Sequence, residues 1–181
     1  RGEGLTGDFA WAEFGPRILG EGWVSHHGKH KVQGTRALPE KANAGHALLN
    51  GVGKPWGTTD VYGIERVTSE NARILLRGAV LESLDPKAAR VPGAVNDPMM
   101  PLAWLREYTS PDGKTTGEAF CTTMGASVDF EDEGLRRLIV NVAYHLLDLE
   151  VPERANVNYV DGFEPTFYSS IREKSYYRNR N

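Results

Sequence analysis

Three of the chain's five histidines, His26, His27 and His30, fall within five consecutive positions of one polar stretch. Imidazole titrates near neutral pH and is the commonest nitrogen ligand of transition metals in proteins. The small residue Gly28 lies inside the cluster, and Lys29 adds positive charge. We predict a functional loop here, in which His26 and His27 are candidate catalytic residues and all three histidines are candidate metal ligands.

The spacing of the cluster leaves alternatives open. His26 and His27 would point to opposite faces of a strand, whereas His27 and His30 would share one face of a helical turn. A further ligand could be a carboxylate such as Glu13 or Asp60, although Asp60 is equally well explained as a turn cap. In the purely structural alternative, the histidines are solvated loop residues, one of which bonds a buried carbonyl.

Several side chains could form the walls of a binding site for a small polar molecule. Trp23, Trp56 and Tyr62 are aromatic residues of turn-rich segments and could contact a sugar ring, whereas Trp104 lies in a predicted strand and favours core packing. Ser127 precedes a predicted helix, where it and the neighbouring amides could bind an anionic or hydroxyl-rich ligand. Its alternative role is that of a turn residue.

Composition limits the classes of function. The chain has 181 residues, 40% hydrophobic and 25% charged, with a net charge of −3. These values are typical of one globular domain and give no reason to expect a nucleic-acid partner. No apolar run approaches the roughly 20 residues of a membrane span. The single cysteine, Cys121, excludes an internal disulfide and is expected to be buried packing. No Gly-x-Gly-x-x-Gly segment follows a predicted strand, so a nucleotide or flavin is not expected.

Periodicity and turn residues predict the following elements. Apolar residues at helical spacing indicate a broken helix, stopped by Gly20, and a long amphipathic helix capped by Asp129. Alternating or continuous apolar runs indicate strands, of which the last two form a hairpin around a Ser-Pro-Asp-Gly-Lys turn, and a proline-rich loop is expected to be a binding or lid element. The ranges are helices 9–19 and 131–149, strands 31–37, 60–64, 72–81, 102–108 and 118–123, and loop 85–101.

Several segments, in their order and spacing, resemble the ThuA-like (trehalose utilisation) family. Each segment is a weak signal alone, and the series covers roughly residues 9 to 150. The segments are WAEF (11–14), GWVSHHG (22–28), HALLNG (46–51), TDVY (59–62), ILLRG (74–78), NDPMMP (96–101), PLAW (101–104), AFCTTMG (119–125) and DFEDEG (129–134).

The resemblance implies an α/β fold of the flavodoxin-like, class I glutamine-amidotransferase-like type. Its sheet would be mostly parallel and flanked by helices, with a C-terminal β-hairpin and a long amphipathic helix. Residues 1–150 would then be the C-terminal two-thirds of the family domain, and an N-terminal portion carrying the nucleophile turn would be missing. We expect that portion or another subunit to cover the exposed sheet edge. Residues 151–181 would be an aromatic and basic tail that packs on the domain or on a partner.

The resemblance also implies a function. Many family members carry a histidine where this chain has Ala126, so Cys–His amidotransferase chemistry is not expected here. The expected role is in the use of a carbohydrate, a disaccharide or keto-sugar, through metal-dependent hydrolysis, lyase or isomerase chemistry with zinc as the metal. The alternative is a non-catalytic binding or assembly subunit with a degenerate site. The resemblance favours an exported protein over a cytoplasmic one.

Overall fold

A computed structural model describes residues 11–166 of the chain. A short helix α1 (Trp11–Phe14) continues as a π-helical turn (Gly15–Leu19), and one long helix, α2 (Glu133–Leu146), lies near the C-terminal end. Short 3-10 turns are found at Lys41–Asn43, Ala47–Leu49, Ala94–Asn96 and Ser127–Glu131. The strands are β1 (Ser25–His26), β2 (Thr35–Pro39), β3 (Trp56–Gly57), β4 (Tyr62–Gly63), β5 (Arg73–Val80), β6 (Met100–Thr109) and β7 (Thr116–Thr122).

The strands form one main sheet and one small one. The main sheet has the order β3-β2-β5-β6-β7, each neighbouring pair is antiparallel, and the sheet curls into a half-barrel. The strands β1 and β4 pair separately, with Ser25 opposite Gly63 and His26 opposite Tyr62. The predicted hairpin is confirmed, because β6 and β7 pair one to one from Ala103–Thr122 to Thr109–Thr116.

The predicted flavodoxin-like, mostly parallel α/β sheet is wrong. Parallel neighbours need a crossover of a dozen or more residues, usually a helix. Between β2 and β5 the described chain forms only two 3-10 turns and the short strands β3 and β4. It contains one helix of seven residues or more, the helix α2. The protein is therefore mostly antiparallel β, and its strands return beside one another without helical crossovers.

The helix α2 covers one face of the sheet, as its apolar spacing predicted. Leu135, Leu138 and Val142 are buried against Leu75 and Leu105 of the two central strands. Full burial of each leucine side chain contributes about 1.5–3 kcal/mol. The helix begins two residues later than predicted, and its N-cap is Asp132 rather than Asp129.

The opposite face of the sheet is covered by the π-helical turn and by the segment before β5. Trp104 of β6 is 1% exposed, as expected for a core residue, and packs with Val67 and Ile74. Its indole Nε1 donates a hydrogen bond to the Leu19 carbonyl at 2.8 Å. The turn ends at Gly20, whose φ of 94° is readily adopted by glycine. These contacts fix the N-terminal segment against the sheet.

The beginning of the predicted tail packs against α2. Arg137 Nε donates to the Ala155 carbonyl and Arg136 Nε to the Val157 carbonyl, both at 3.0 Å. The Tyr159 ring lies 4.2 Å from the Arg136 guanidinium carbon. Residues 167–181, with the tail's basic groups, and residues 1–10 lie outside the described residues. No helix among the described residues is long and apolar enough to span a membrane.

Candidate functional site

A buried carboxylate connects two of the clustered histidines. Asp60 Oδ2 lies 2.7 Å from His26 Nδ1, and Asp60 Oδ1 lies 2.9 Å from His30 Nδ1. The Asp60 side chain is fully buried, whereas each imidazole is 39% exposed. The two ring centroids are 4.5 Å apart. We call His26 and His30 the histidine pair.

Backbone hydrogen bonds hold the histidine loop on the segment that carries Asp60. The amides of His27 and Gly28 both donate to the Val61 carbonyl, at 2.8 and 2.9 Å. A Cβ at Gly28 would lie 3.3 Å from Asp60 Cβ and 3.4 Å from the Val61 nitrogen. The close approach of the two segments therefore depends on a residue without a side chain at position 28.

A second buried carboxylate holds the residue before Asp60. Asp129, which is 1% exposed, accepts hydrogen bonds from the amide of Thr59, at 3.1 Å, and from its hydroxyl group. The Thr59 carbonyl in turn accepts a bond of 2.6 Å from the Thr35 hydroxyl in β2. Asp60 is thus carried on a backbone segment fixed from both sides.

The arrangement suits metal binding or proton transfer. A carboxylate that accepts a bond from Nδ1 orients an imidazole and leaves the lone pair of the neutral ring on Nε2. One ligand atom from each of His26, His30 and Asp60 can be chosen so that all three lie within 4.8 Å of one another. Tetrahedral zinc holds nitrogen and oxygen ligands at about 2.0–2.1 Å, which places them about 3.4 Å apart. The Asp60 oxygens lie only 2.7 and 2.9 Å from the two Nδ1 atoms, so an ion held by these atoms would need longer separations and rings without Nδ1 protons.

The third clustered histidine faces a different group. His27 Nε2 lies 2.7 Å from the Val95 carbonyl and donates to it. The structure therefore places His27, predicted as a catalytic residue and metal ligand, outside the group that could hold a metal. Its contact matches the alternative of a loop histidine bonded to a carbonyl. The loop that carries Val95 is itself attached to β5, since the Asn96 side chain exchanges hydrogen bonds of 2.8 and 2.9 Å with Val80.

A cavity of about 240 Å³ adjoins the histidine pair. Two of its walls, the rings of Trp23 and Tyr62, each lie edge to face with the His26 ring, at centroid distances of 5.7 and 5.6 Å. We call this space the aromatic cavity. Its lining residues are Leu19, Glu21, Gly22, Trp23, Tyr62, Gly63, Ile64, Trp104, Cys121, Thr122 and Thr123.

Two titratable groups of the aromatic cavity are held in their neutral forms. Burial raises the pKa of the Cys121 thiol to about 11, so this residue is not a nucleophile at neutral pH. Burial, and then the nearby charges of Asp60 and Asp129, raise the pKa of the Tyr62 phenol above its ordinary value. Both side chains are therefore uncharged wall residues of the cavity.

The remaining predicted site residues lie elsewhere. Trp56 belongs to β3, where its amide donates to Asp132 at 3.0 Å, and Ser127 begins the 3-10 turn before α2. Neither of them lines the aromatic cavity. Glu13 pairs with Arg17 at 3.1 Å on the surface. Of the predicted ligand-contacting residues, Trp23 and Tyr62 lie beside the histidine pair.

Glu21 is a structural carboxylate of the cavity wall that the sequence reasoning missed. It is 6% exposed and accepts hydrogen bonds from the amides of Gly22, Glu65 and Arg66 at 3.0, 2.7 and 2.7 Å. These bonds join the segment before Trp23 to the segment after β4. Its oxygens bond the next residue and a stretch of backbone 44 and 45 residues away, a contact for which the local sequence carries no signal.

The site contains a shared carboxylate, two exposed imidazoles and an aromatic cavity. Compared with known proteins, the chain matches no family model, no curated protein and no solved structure. The resemblance to the ThuA-like family therefore stays a prediction.

Proposed function

We propose that the chain binds one zinc ion through His26, His30 and Asp60 and uses it to act on a small carbohydrate derivative. The observation that carries this proposal is the fully buried Asp60 carboxylate, which bonds two imidazoles that remain partly open to solvent. Burial of a carboxylate is unfavourable unless it is well bonded, so its placement under two potential ligands favours a site over a chance contact.

The ligand chemistry fits zinc better than magnesium or calcium. Imidazole nitrogen and carboxylate oxygen are common zinc ligands, whereas magnesium and calcium prefer oxygen ligands alone. Three protein ligands leave the fourth tetrahedral position for water or substrate, as in catalytic zinc sites. A zinc ion in such a site polarises a carbonyl group or lowers the pKa of bound water. These properties support hydrolysis, lyase or isomerase chemistry.

The carbohydrate class comes from the resemblance to the ThuA-like family. Two of the resembling segments, 22–28 and 59–62, carry most of the site: Trp23, His26, Asp60 and Tyr62. The alternative is a binding or assembly subunit whose histidines and carboxylate have only a structural role.

Calorimetric titration of the metal-free chain with zinc tests the proposal. We expect one tight zinc ion per chain and a loss of at least about 100-fold in affinity for His30→Ala, because ligand removal exceeds the 10–100-fold effect of outer-shell changes. His27→Ala and His145→Ala are matched controls, since these histidines bond Val95 and Glu118 instead. No zinc binding, or equal zinc affinity in His30→Ala and both controls, would exclude the metal site and favour the binding or assembly alternative.

A further inference from the structure

We propose that the aromatic cavity receives an apolar ring attached to the substrate, while the sugar itself stays outside at the exposed histidine pair. The substrate class is then a glycoside with an aryl group, rather than a free sugar. The identity of the sugar part rests on the proposed function, whereas the ring in the cavity is argued from the cavity alone.

The cavity wall does not suit a hydroxyl-rich ring. Its surface is predominantly apolar and includes Leu19, Ile64, Trp104 and Cys121. The one carboxylate in the wall, Glu21, already accepts three backbone hydrogen bonds. The wall also contains Thr122 and Thr123, but the Thr122 hydroxyl already bonds Met124. Most hydroxyl groups of a sugar buried here would therefore lose their bonds to water without replacement, which is unfavourable. An apolar ring would lose none.

The cavity is small enough to favour a single ring over a larger ligand. Its volume of about 240 Å³ is below the roughly 300–1,000 Å³ of pockets for drug-sized ligands. Trp23 forms one wall although its side chain is largely exposed, at 67%. An indole and a phenol ring in a wall can stack on an aromatic ligand or meet it edge to face. A single aryl group would thus cover apolar surface of Trp23 that is now open to water.

The position of the cavity connects it to the histidine pair. The His26 ring contacts the rings of both Trp23 and Tyr62. The proposed zinc ligands do not line the cavity themselves, but two of its lining residues contact His26, so a polar group attached to a ring in the cavity would need to extend past Trp23 or Tyr62 to reach them. This order, with the apolar group inside and the sugar outside, fits the apolar lining of the cavity and the exposure of the imidazoles.

Two probes that differ in one ring test the proposal. The dissociation constants of phenyl β-glucoside and methyl β-glucoside are measured by ligand-observed NMR, with zinc-loaded and with metal-free protein. We expect the phenyl compound to bind at least about tenfold more tightly in both states, because the ring is removed from water. Equal affinities, or no binding of either probe, would overturn the proposal.

Variants of the cavity wall locate the effect. Cys121→Met fills the cavity, and Ala119→Met is its matched control, two residues earlier on β7 and outside the lining. Trp23→Ala removes an exposed wall and leaves the core intact. We expect the preference for the phenyl over the methyl glucoside, expressed as the ratio of their affinities, to fall below about threefold in Cys121→Met and Trp23→Ala. The same ratio should persist in Ala119→Met. If the phenyl-to-methyl affinity ratio were unchanged in both wall variants, the proposal would be contradicted. If the unmodified protein showed the ratio but bound no zinc, only the proposed metal site would be contradicted.

Discussion

Asp129 shows how one buried side chain can set the position of another. Its two oxygens accept hydrogen bonds from the Thr59 amide and hydroxyl and from the amides of Gly125 and Ala126, at 3.1 and 3.0 Å. It thereby joins the turn before α2 to the residue that precedes Asp60. A Cβ at Gly57 would lie 2.5 Å from Asp129 Oδ1, so the carboxylate also occupies space that only glycine leaves open.

Replacing this carboxylate by an amide tests its role. In Asp129→Asn one acceptor oxygen becomes an NH₂ group that faces backbone donors, and the donors lose their partner. We expect the free energy of unfolding, measured by urea denaturation, to fall by about 2–4 kcal/mol. Asp112→Asn is the control, because Asp112 is an exposed turn residue whose replacement should leave the stability nearly unchanged. Similar stabilities of the two variants would show that the Asp129 bonds contribute little.

The sequence identified the histidines of the site but not their arrangement. Asp60 was one of two candidate carboxylates, and the choice between them depends on a contact 34 residues away in sequence from His26. That contact follows from the pairing of β1 and β4, which are two residues long and too short to show a periodicity. For the same reason the sequence could not show that His27 has a different role from His26 and His30, because that role depends on its contact with the Val95 carbonyl.

At the scale of the element, α2 was predicted in its place and apolar face but two residues too early at its start and three residues too long at its end. The apolar stripe continued to position 149, but the helix ends at Leu146, and Asp148 adopts a positive φ of 55°. Leu147 and Leu149 are 69% and 54% exposed, so these residues extend the sequence pattern without extending the buried face. The spacing of apolar residues shows which side chains could share a helix face. It does not show where the sheet beneath that face ends, and so it does not fix the end of the helix.

The N-cap of α2 has two partners, which makes its removal informative. Asp132 accepts hydrogen bonds from the Leu135 amide at 3.1 Å and from the Trp56 amide at 3.0 Å. Asp132→Ala should lower the free energy of unfolding by about 1–2 kcal/mol, as is usual for a lost N-cap. Chemical denaturation measures this, and Glu131→Ala, which removes an exposed neighbouring carboxylate, is the control. An equal loss in Glu131→Ala would indicate a general charge effect rather than capping.

At the scale of the whole molecule, the strands were predicted more accurately than their directions. The central strand 72–81 and the hairpin were placed within a few residues, since apolar runs and turn residues are local signals. Strand direction depends on the connections, and the parallel arrangement was implied only by the family resemblance. The connection from β2 to β5 contains 3-10 turns and short strands, which return the chain antiparallel to itself.

The pH dependence of stability should reflect His46, which lies between the sheet and α2. Burial, and then the charges of Arg73 and His145, lower the pKa of the His46 imidazole from its ordinary value of 6.5, although Glu118 acts in the opposite direction. The His46 imidazole therefore binds a proton more readily in the unfolded chain than in the folded chain. This contribution to stability is present above pH 6.5 and is lost as the pH falls below that value.

His46→Asn should therefore flatten the acid side of the stability profile. Asparagine can still accept the hydrogen bond that His46 Nδ1 takes from the Leu48 amide at 3.2 Å, so the turn is retained. We expect the variant to lose less stability than the unmodified chain between pH 7.5 and pH 5.5 in urea denaturation. Val32→Ala, a surface change that removes no titratable group, should follow the unmodified profile. Parallel profiles for His46→Asn and the unmodified chain would contradict this assignment.

The one-to-one pairing of β6 and β7 has a consequence for variation in the turn that joins them. Cys121 lies opposite Trp104, and both face the aromatic cavity, whereas Phe120 on the other side of β7 packs in the core beneath α2. A slip of one residue would exchange the two sides of the strand. An insertion or deletion in the turn at 110–114 that shifted this pairing would therefore alter the wall of the aromatic cavity, although none of the turn residues lines it.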